Sequence, residues 1–183
     1  MGKSCAITGH RPSRFIFKYN EADCLCKKIK TQMRLQFENL IRNGFTRFYA
    51  GGALGVDMWS SEMILELKKE NAFEDIELFI AIPFDGYNDH WDNKYKSRME
   101  YIIENCNKSE IIGNRDNINM SYKKRNQFMV DNSDYLLAVY DIEKRRRSGT
   151  QQTVNYAIRQ ALPVIIINPD TGVVSKLNRE GSY

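Results

Sequence analysis

Six short apolar runs, separated by longer segments that carry a helical stripe, constrain this chain more than any other feature of its sequence. The runs are Cys5-Ala6-Ile7, Phe48-Tyr49-Ala50, Leu78 to Ile82, Ile111-Ile112, Tyr135 to Tyr140 and Val164 to Ile167. Most are continuous rather than alternating, the pattern of strands covered on both faces in a parallel sheet. In the first intervening segment Cys26, Ile29, Met33, Phe37, Leu40 and Ile41 share one stripe, which stops at the C-cap pair Asn43-Gly44. Further helices are predicted from about Val56 to Lys69, Asp92 to Asn105, Met120 to Val130 and Gly149 to Gln160. Strand and helix in alternation imply right-handed crossovers. The expected fold is therefore α/β, Rossmann-like and doubly wound, with a mainly parallel sheet and helices on both faces.

A chain of 183 residues, 42% of them hydrophobic, is expected to form one domain over residues 1–183. Its core spans about residues 4–167, and residues 168–183 read as a C-terminal tail with few apolar side chains. The four cysteines (Cys5, Cys24, Cys26 and Cys106) include no pair with zinc-knuckle spacing, so reduced thiols are expected. Two histidines without paired carboxylates predict no metal site. No apolar run reaches the length of about 18 residues that a membrane span needs, and the N-terminus runs straight into a strand. The reading is a soluble, cytoplasmic chain without a membrane partner. A net charge of +4 suits an anionic small ligand and does not demand nucleic acid.

Ligands of doubly wound sheets bind outside the carboxyl ends of the strands, which singles out four loops. The second, Gly51-Gly52-Ala53-Leu54-Gly55-Val56-Asp57, carries the strongest signal. Glycines let backbone N–H groups approach an anion, and the helix that follows presents free donors and the positive end of its dipole. The spacing is neither the dinucleotide fingerprint nor a P-loop. The competing reading is a tight turn with glycines for helix–sheet packing. The first loop, Thr8-Gly9-His10-Arg11-Pro12, offers Arg11 as a bidentate phosphate partner or a surface ion-pair partner, and His10 as a donor or a turn closure. The third loop runs from Pro83 to Trp91. Its Tyr87 and Trp91 either stack on a base or pack onto the core, while His90 is too isolated for a metal. The fourth runs from Asp141 to Thr150. Ser148, Gly149 and Thr150, with Thr153 one turn on, either grip a phosphate or ribose or simply cap the helix. The run Lys144 to Arg147 is a solvated loop or a polyanion contact. Asp57 complements the helix dipole or accepts from a ribose hydroxyl, and Glu62 is solvated or paired.

The stretches GGALGVD and RNQFMVDNSDYLLAVYDIEKRRRSGTQQT resemble the SLOG superfamily. That superfamily includes the lysine-decarboxylase-like (LOG) phosphoribohydrolases and the DNA-processing protein DprA. The opening TGHRP and the loop PFDGYNDHW are similar to its DUF1273 or YpsA-like branch, and the resemblance covers about residues 4–167. It implies a Rossmann-like fold and a pocket for a nucleotide-derived molecule such as ADP-ribose, NAD or a cyclic nucleotide, with no further cofactor. Hydrolytic members carry an arginine that Arg125 matches. They also carry a Gly-Gly-x-Gly-Thr-x-x-Glu motif, whose glutamate falls on Thr153 and whose Gly-Gly is replaced by Arg146-Arg147-Ser148. Threonine supplies no carboxylate for an oxocarbenium-like centre.

The resemblance thus favours a binding module that senses or sequesters its ligand. The expected contacts are Thr8, Gly9, His10 and Arg11 on the first loop, then Gly51, Gly52, Ala53, Gly55 and Asp57 on the second. Pro83 and Trp91 on the third, Arg125, and Ser148, Gly149, Thr150 and Thr153 on the last complete the set. One alternative is an N-glycosidase that uses Asp57, Glu62 or Asp141. Another is DprA-like association with single-stranded DNA, starting at Lys144 to Arg147. By analogy with dimeric phosphoribohydrolases a homo-oligomer is expected.

Overall fold

In a computed structural model of the chain, residues 2–70, 72–143 and 148–177 are described. Strand and helix alternate as β1 (Lys3–Gly9), α1 (Cys24–Arg42), β2 (Phe45–Ala50), α2 (Val56–Leu67), β3 (Glu77–Ile82), α3 (Asn93–Asn105) and β4 (Lys108–Ile111). They continue as α4 (Ile118–Asp131), β5 (Tyr135–Val139), α5 (Gly149–Arg159), β6 (Val164–Ile167) and β7 (Val174–Leu177). The strands form one sheet in the order β4-β3-β2-β1-β5-β6-β7, parallel except for β7. The expected Rossmann-like α/β architecture is what the chain adopts.

The continuous apolar runs are explained by burial on both faces. Cys5, Ile7, Phe48, Ala50, Leu78, Ile80, Leu137 and Val139 point to one face, where α1, α2 and α3 supply Ile29, Phe37, Trp59, Ile64 and Met99. The alternate residues Ala6, Tyr49, Ala81, Leu136, Ala138 and Ile166 point to the other, against Met129 and Val130 of α4 and Val154 and Ala157 of α5. Each large side chain so buried stabilises the fold by about 1.5–3 kcal/mol. Helix ends follow local chemistry. Asp23 accepts from Leu25 N at 2.7 Å to start α1, and Gly44 at φ +83° follows its C-cap Asn43.

Two elements depart from the expectation, both at sheet edges. β4 begins at Lys108, ahead of the Ile111-Ile112 run, because its Lys108-Ser109-Glu110 start is polar and exposed and gives no apolar signal. The segment after Asn168, read as a tail, contributes β7, which pairs antiparallel with β6 through Val174↔Ile167 and Leu177↔Val164. Its exposed Ser175 and Lys176 protect an edge and break the apolar pattern.

The segment between β1 and α1 is tied down by charge. Arg98 of α3 donates from Nη1 to Glu21 Oε1 at 2.6 Å and from Nε to Glu62 Oε1 at 2.6 Å, while Lys30 Nζ donates to Glu21 Oε2 at 2.5 Å. Burial alone would raise the Glu21 carboxyl, but hydrogen bonds from Arg98, Lys30 and Trp59 outweigh it and hold it down at about 2, against 4.5 ordinarily. A depressed carboxylate contributes stability above its unfolded value and loses it as pH falls toward the folded one. Glu21→Gln is therefore expected to cost about 1–2 kcal/mol at pH 7 for this half-buried network. In urea melts the difference from wild type should shrink by more than half between pH 5 and pH 3. A pH-independent difference would assign the effect to packing.

Candidate functional site at the sheet edge

The strand order reverses at β1, which pairs in parallel with both β2 and β5. A doubly wound sheet opens a crevice at such a switch point, outside the carboxyl ends of the two strands. The loops after β1, β2, β3 and β5 all emerge at that edge.

The glycine turn after β2 is shaped by one arginine from the opposite face of the sheet. Arg125 of α4 passes over the end of β2 and donates from Nη1 to Asp57 Oδ2 of α2 at 3.1 Å, with both side chains buried. A Cβ on Gly51 would lie 1.2 Å from that Nη1 and 2.6 Å from the carboxylate. The room left by Gly51 is thus taken by the protein's own guanidinium. Gly52, at φ +65°, faces the Tyr87 hydroxyl, and Gly55, at φ +90°, lies against the His10 carbonyl. Both need the left-handed region that glycine adopts freely. Packing accounts for these three glycines, and the electrostatics carry what remains of the anion signal.

Burial pushes the Asp57 carboxyl upward, against the opposing pull of Arg125, the Ala53 N–H at 3.3 Å and Arg11. Arg11 itself is exposed, and its guanidinium sits 5.3 Å from the Tyr122 ring, which Arg125 approaches at 5.7 Å. Two cations therefore flank one aromatic ring at the edge of the sheet. Tyr122 was not among the expected contacts. Its spacing three residues before Arg125 on one helix was the available signal. The Arg125 Nε and the Tyr87 hydroxyl are buried with no hydrogen-bond partner among the described residues.

Across the switch point, His10 Nδ1 lies 3.5 Å from Thr150 Oγ1, which joins the first loop to the start of α5. Burial, and then Arg14, lower the His10 pKa, so the ring is neutral at physiological pH. Thr8 is buried at the end of β1, and a Cβ on Gly9 would lie 2.4 Å from Val56, so that glycine serves the approach of α2. Ser148 caps α5 by accepting from Gln151 N at 3.0 Å, and Thr153 donates to the Gly149 carbonyl at 2.9 Å. Gly149 is unlike the glycines of the β1 and β2 loops: among the described residues a Cβ there would come no nearer than 3.9 Å, to Asn126 Nδ2. Asp141 is buried just after β5 and accepts from Glu143 N at 2.9 Å.

Other candidates lie elsewhere or are engaged. Glu62 sits two turns into α2 and is held by Arg98, away from the glycine turn. Pro83 is buried, and Trp91 packs against the core with its ring 5.5 Å from Tyr87 at 81°. Lys144 to Arg147 lie outside the described residues. Among the described residues no three His, Cys, Asp or Glu side chains gather to hold a metal, and no helix is long and apolar enough to cross a membrane.

Comparison with known proteins agrees with this geometry at the level of fold and family. UPF0398 proteins of Staphylococcus epidermidis are 30% identical over 146 residues, covering 79% of this chain and 76% of theirs. One from Bacillus thuringiensis is 31% identical over 144 residues, covering 78% and 76%. Among solved structures, DNA processing protein A from Helicobacter pylori, described for its single-stranded DNA binding mode, superposes with a TM-score of 0.59. It is 19% identical, with 93% of this chain and 69% of that one covered. DNA processing protein A (DprA) from Streptococcus pneumoniae gives a TM-score of 0.57 at 14% identity, and this chain spans half its length. These two likenesses concern the fold. The model of the YspA SLOG family matches residues 5–171, nearly the whole sheet with its glycine turn and switch-point loops, and the chain belongs to that family.

Proposed function

We propose that this chain binds a nucleotide or nucleotide-derived small molecule, of the ADP-ribose, NAD or cyclic-nucleotide class, at the carboxyl edge of its sheet, and acts as a sensor or sequestering module. The observation that carries this reading is the convergence of four chain segments on one switch point. Arg125 and Arg11 supply positive charge there, His10 and Thr150 meet across it, and α2 and α5 both start at the same edge. Cationic side chains and helix starts together favour phosphate oxygens.

Hydrolysis is the weaker reading. A carboxylate must stand free to stabilise the sugar cation or activate water. Asp57 is tied to Arg125 and Glu62 to Arg98, and Thr153 occupies the place of the glutamate. Single-stranded DNA association rests on the likeness to the two DNA processing proteins, one of which is described for that binding.

Thermal melts with NAD, ADP-ribose, AMP and cyclic nucleotides at millimolar concentration test the proposal. At least one is expected to raise the melting temperature, since a ligand at 100 times its dissociation constant adds about 2.7 kcal/mol. No shift with any of them counts against it. Release of free base would favour hydrolysis, and a steeply salt-dependent shift with single-stranded DNA would favour the nucleic-acid reading.

A further inference from the structure

Two buried donors beside the glycine turn have no acceptor among the described residues. Arg125 Nε and the Tyr87 hydroxyl are closed off from solvent and unpaired among the described residues. Buried polar groups are normally paired, and each exception needs a physical reason. Both atoms belong to side chains at the same turn. Arg125 lies against Gly51, and the Tyr87 hydroxyl is 3.0 Å from the position of a Cβ on the next residue, Gly52.

Their chemistry specifies what would satisfy them. Guanidinium Nε is always a donor. Burial raises the Tyr87 phenol well above its ordinary value, so it keeps its proton and also donates. Asp57 accepts from Nη1 of the guanidinium and leaves Nε over. Two unpartnered donors beside adjacent glycines, one of them cationic, match an acceptor with several anionic oxygens, which is the chemistry of a phosphate or pyrophosphate group. We infer that Tyr87 is a specificity-determining residue of the site, whose hydroxyl donates with Arg125 Nε to an anionic oxygen of a phosphate-bearing ligand held beside the glycine turn. This inference rests on the nucleotide-binding reading and sharpens it: it assigns the aromatic of the third loop to phosphate recognition through its hydroxyl rather than to base stacking.

Both atoms are closed off from solvent, so entry of such a group requires the Tyr87 side chain to shift away from Gly52. The residues on either side of Tyr87 are held by Arg115, which donates to the Asp85 carbonyl and to Asp89 Oδ2, each at 2.7 Å. Both side chains of the Arg115–Asp89 pair are more than half exposed, and exposed pairs hold weakly.

Tyr87→Phe tests the assignment, because it removes only the hydroxyl. The unliganded variant is expected to melt at or above the wild-type temperature, since a buried unpaired hydroxyl is lost. Calorimetric affinity for ADP-ribose and for inorganic pyrophosphate is expected to fall by about tenfold, the effect of one hydrogen bond to a charged acceptor. Affinity for adenosine, which lacks a phosphate, should not change. A lowered melting temperature without ligand would place the hydroxyl in an internal bond and overturn the inference. Unchanged affinity for both phosphate probes, or an equal loss for adenosine, would overturn it while leaving the nucleotide-binding reading in place. Wild-type protein that binds neither phosphate probe would also overturn the inference, and failure to bind NAD, AMP and cyclic nucleotides as well would overturn both readings.

Discussion

Replacing Arg125 with methionine is expected to destabilise the protein by about 3–5 kcal/mol at pH 8, one of the two largest single-residue effects we predict. The cost comes from the partner left behind. Asp57 is buried, and its carboxylate is opposed there by Arg125, the Ala53 N–H and the more distant Arg11. Without Arg125 the folded chain must protonate Asp57 or bury a poorly compensated charge. Its folded pKa then lies still further above the unfolded value. The folded state holds a proton that the unfolded state releases, so stability falls as pH rises between the two values. The loss should accordingly be smaller at pH 5 than at pH 8, and adding Asp57→Asn to Arg125→Met should recover much of it. Urea denaturation of the wild type, the single variant and the double variant at both pH values measures this. A loss below about 1 kcal/mol, the range of surface pairs, would show that the pair is not a buried one.

The second large effect distinguishes two glycines at the same sheet edge. Gly51→Ala puts a methyl group where the Arg125 Nη1 atom lies, 1.2 Å away, so the guanidinium must leave Asp57. A destabilisation of about 2–4 kcal/mol is expected from overpacking plus the broken pair. Among the described residues Gly149→Ala meets nothing closer than 3.9 Å, and its backbone lies outside the left-handed region. It should leave stability unchanged or raise it by about 0.4–1 kcal/mol by restricting the unfolded chain. If the backbone at the start of α5 receives a ligand, the added methyl weakens binding even though folding is intact. Measured side by side, the melting temperature of Gly51→Ala should fall well below wild type while that of Gly149→Ala stays at or above it. Equal effects would mean that Gly51 is not seated on Arg125.

Much of this architecture was legible because both faces of the sheet are covered. Continuous runs such as Val164 to Ile167 have no other simple origin, and the Cys26-to-Leu40 stripe stops where Asn43-Gly44 stops it. The edge strands were not legible. β4 opens on Lys108-Ser109-Glu110 and β7 carries Ser175-Lys176, polar residues that suit an unpaired edge and resemble a loop in sequence. Within the site, the glycine turn and Arg125 could each be picked out alone, but their contact could not. Sixty-eight positions separate Arg125 from Asp57, and they lie on helices that cover opposite faces of the sheet. Only the folded chain shows that Gly51 is small for an arginine. Tyr122 and the hydroxyl of Tyr87 were hidden for a related reason: an aromatic in sequence says nothing of whether its ring or its oxygen faces the site.

Calorimetric titration of ADP-ribose, NAD, AMP and cyclic nucleotides into wild-type protein and into Gly149→Ala tests whether a nucleotide binds at the sheet edge. Saturable heat with at least one of them is expected in the wild type, at a dissociation constant of about a millimolar or tighter. Affinity about tenfold weaker is expected in Gly149→Ala, equivalent to about 1.4 kcal/mol, with no fall in melting temperature. No heat with any nucleotide would contradict nucleotide binding by this chain, and equal affinity in the two proteins would contradict a ligand contact at the start of α5.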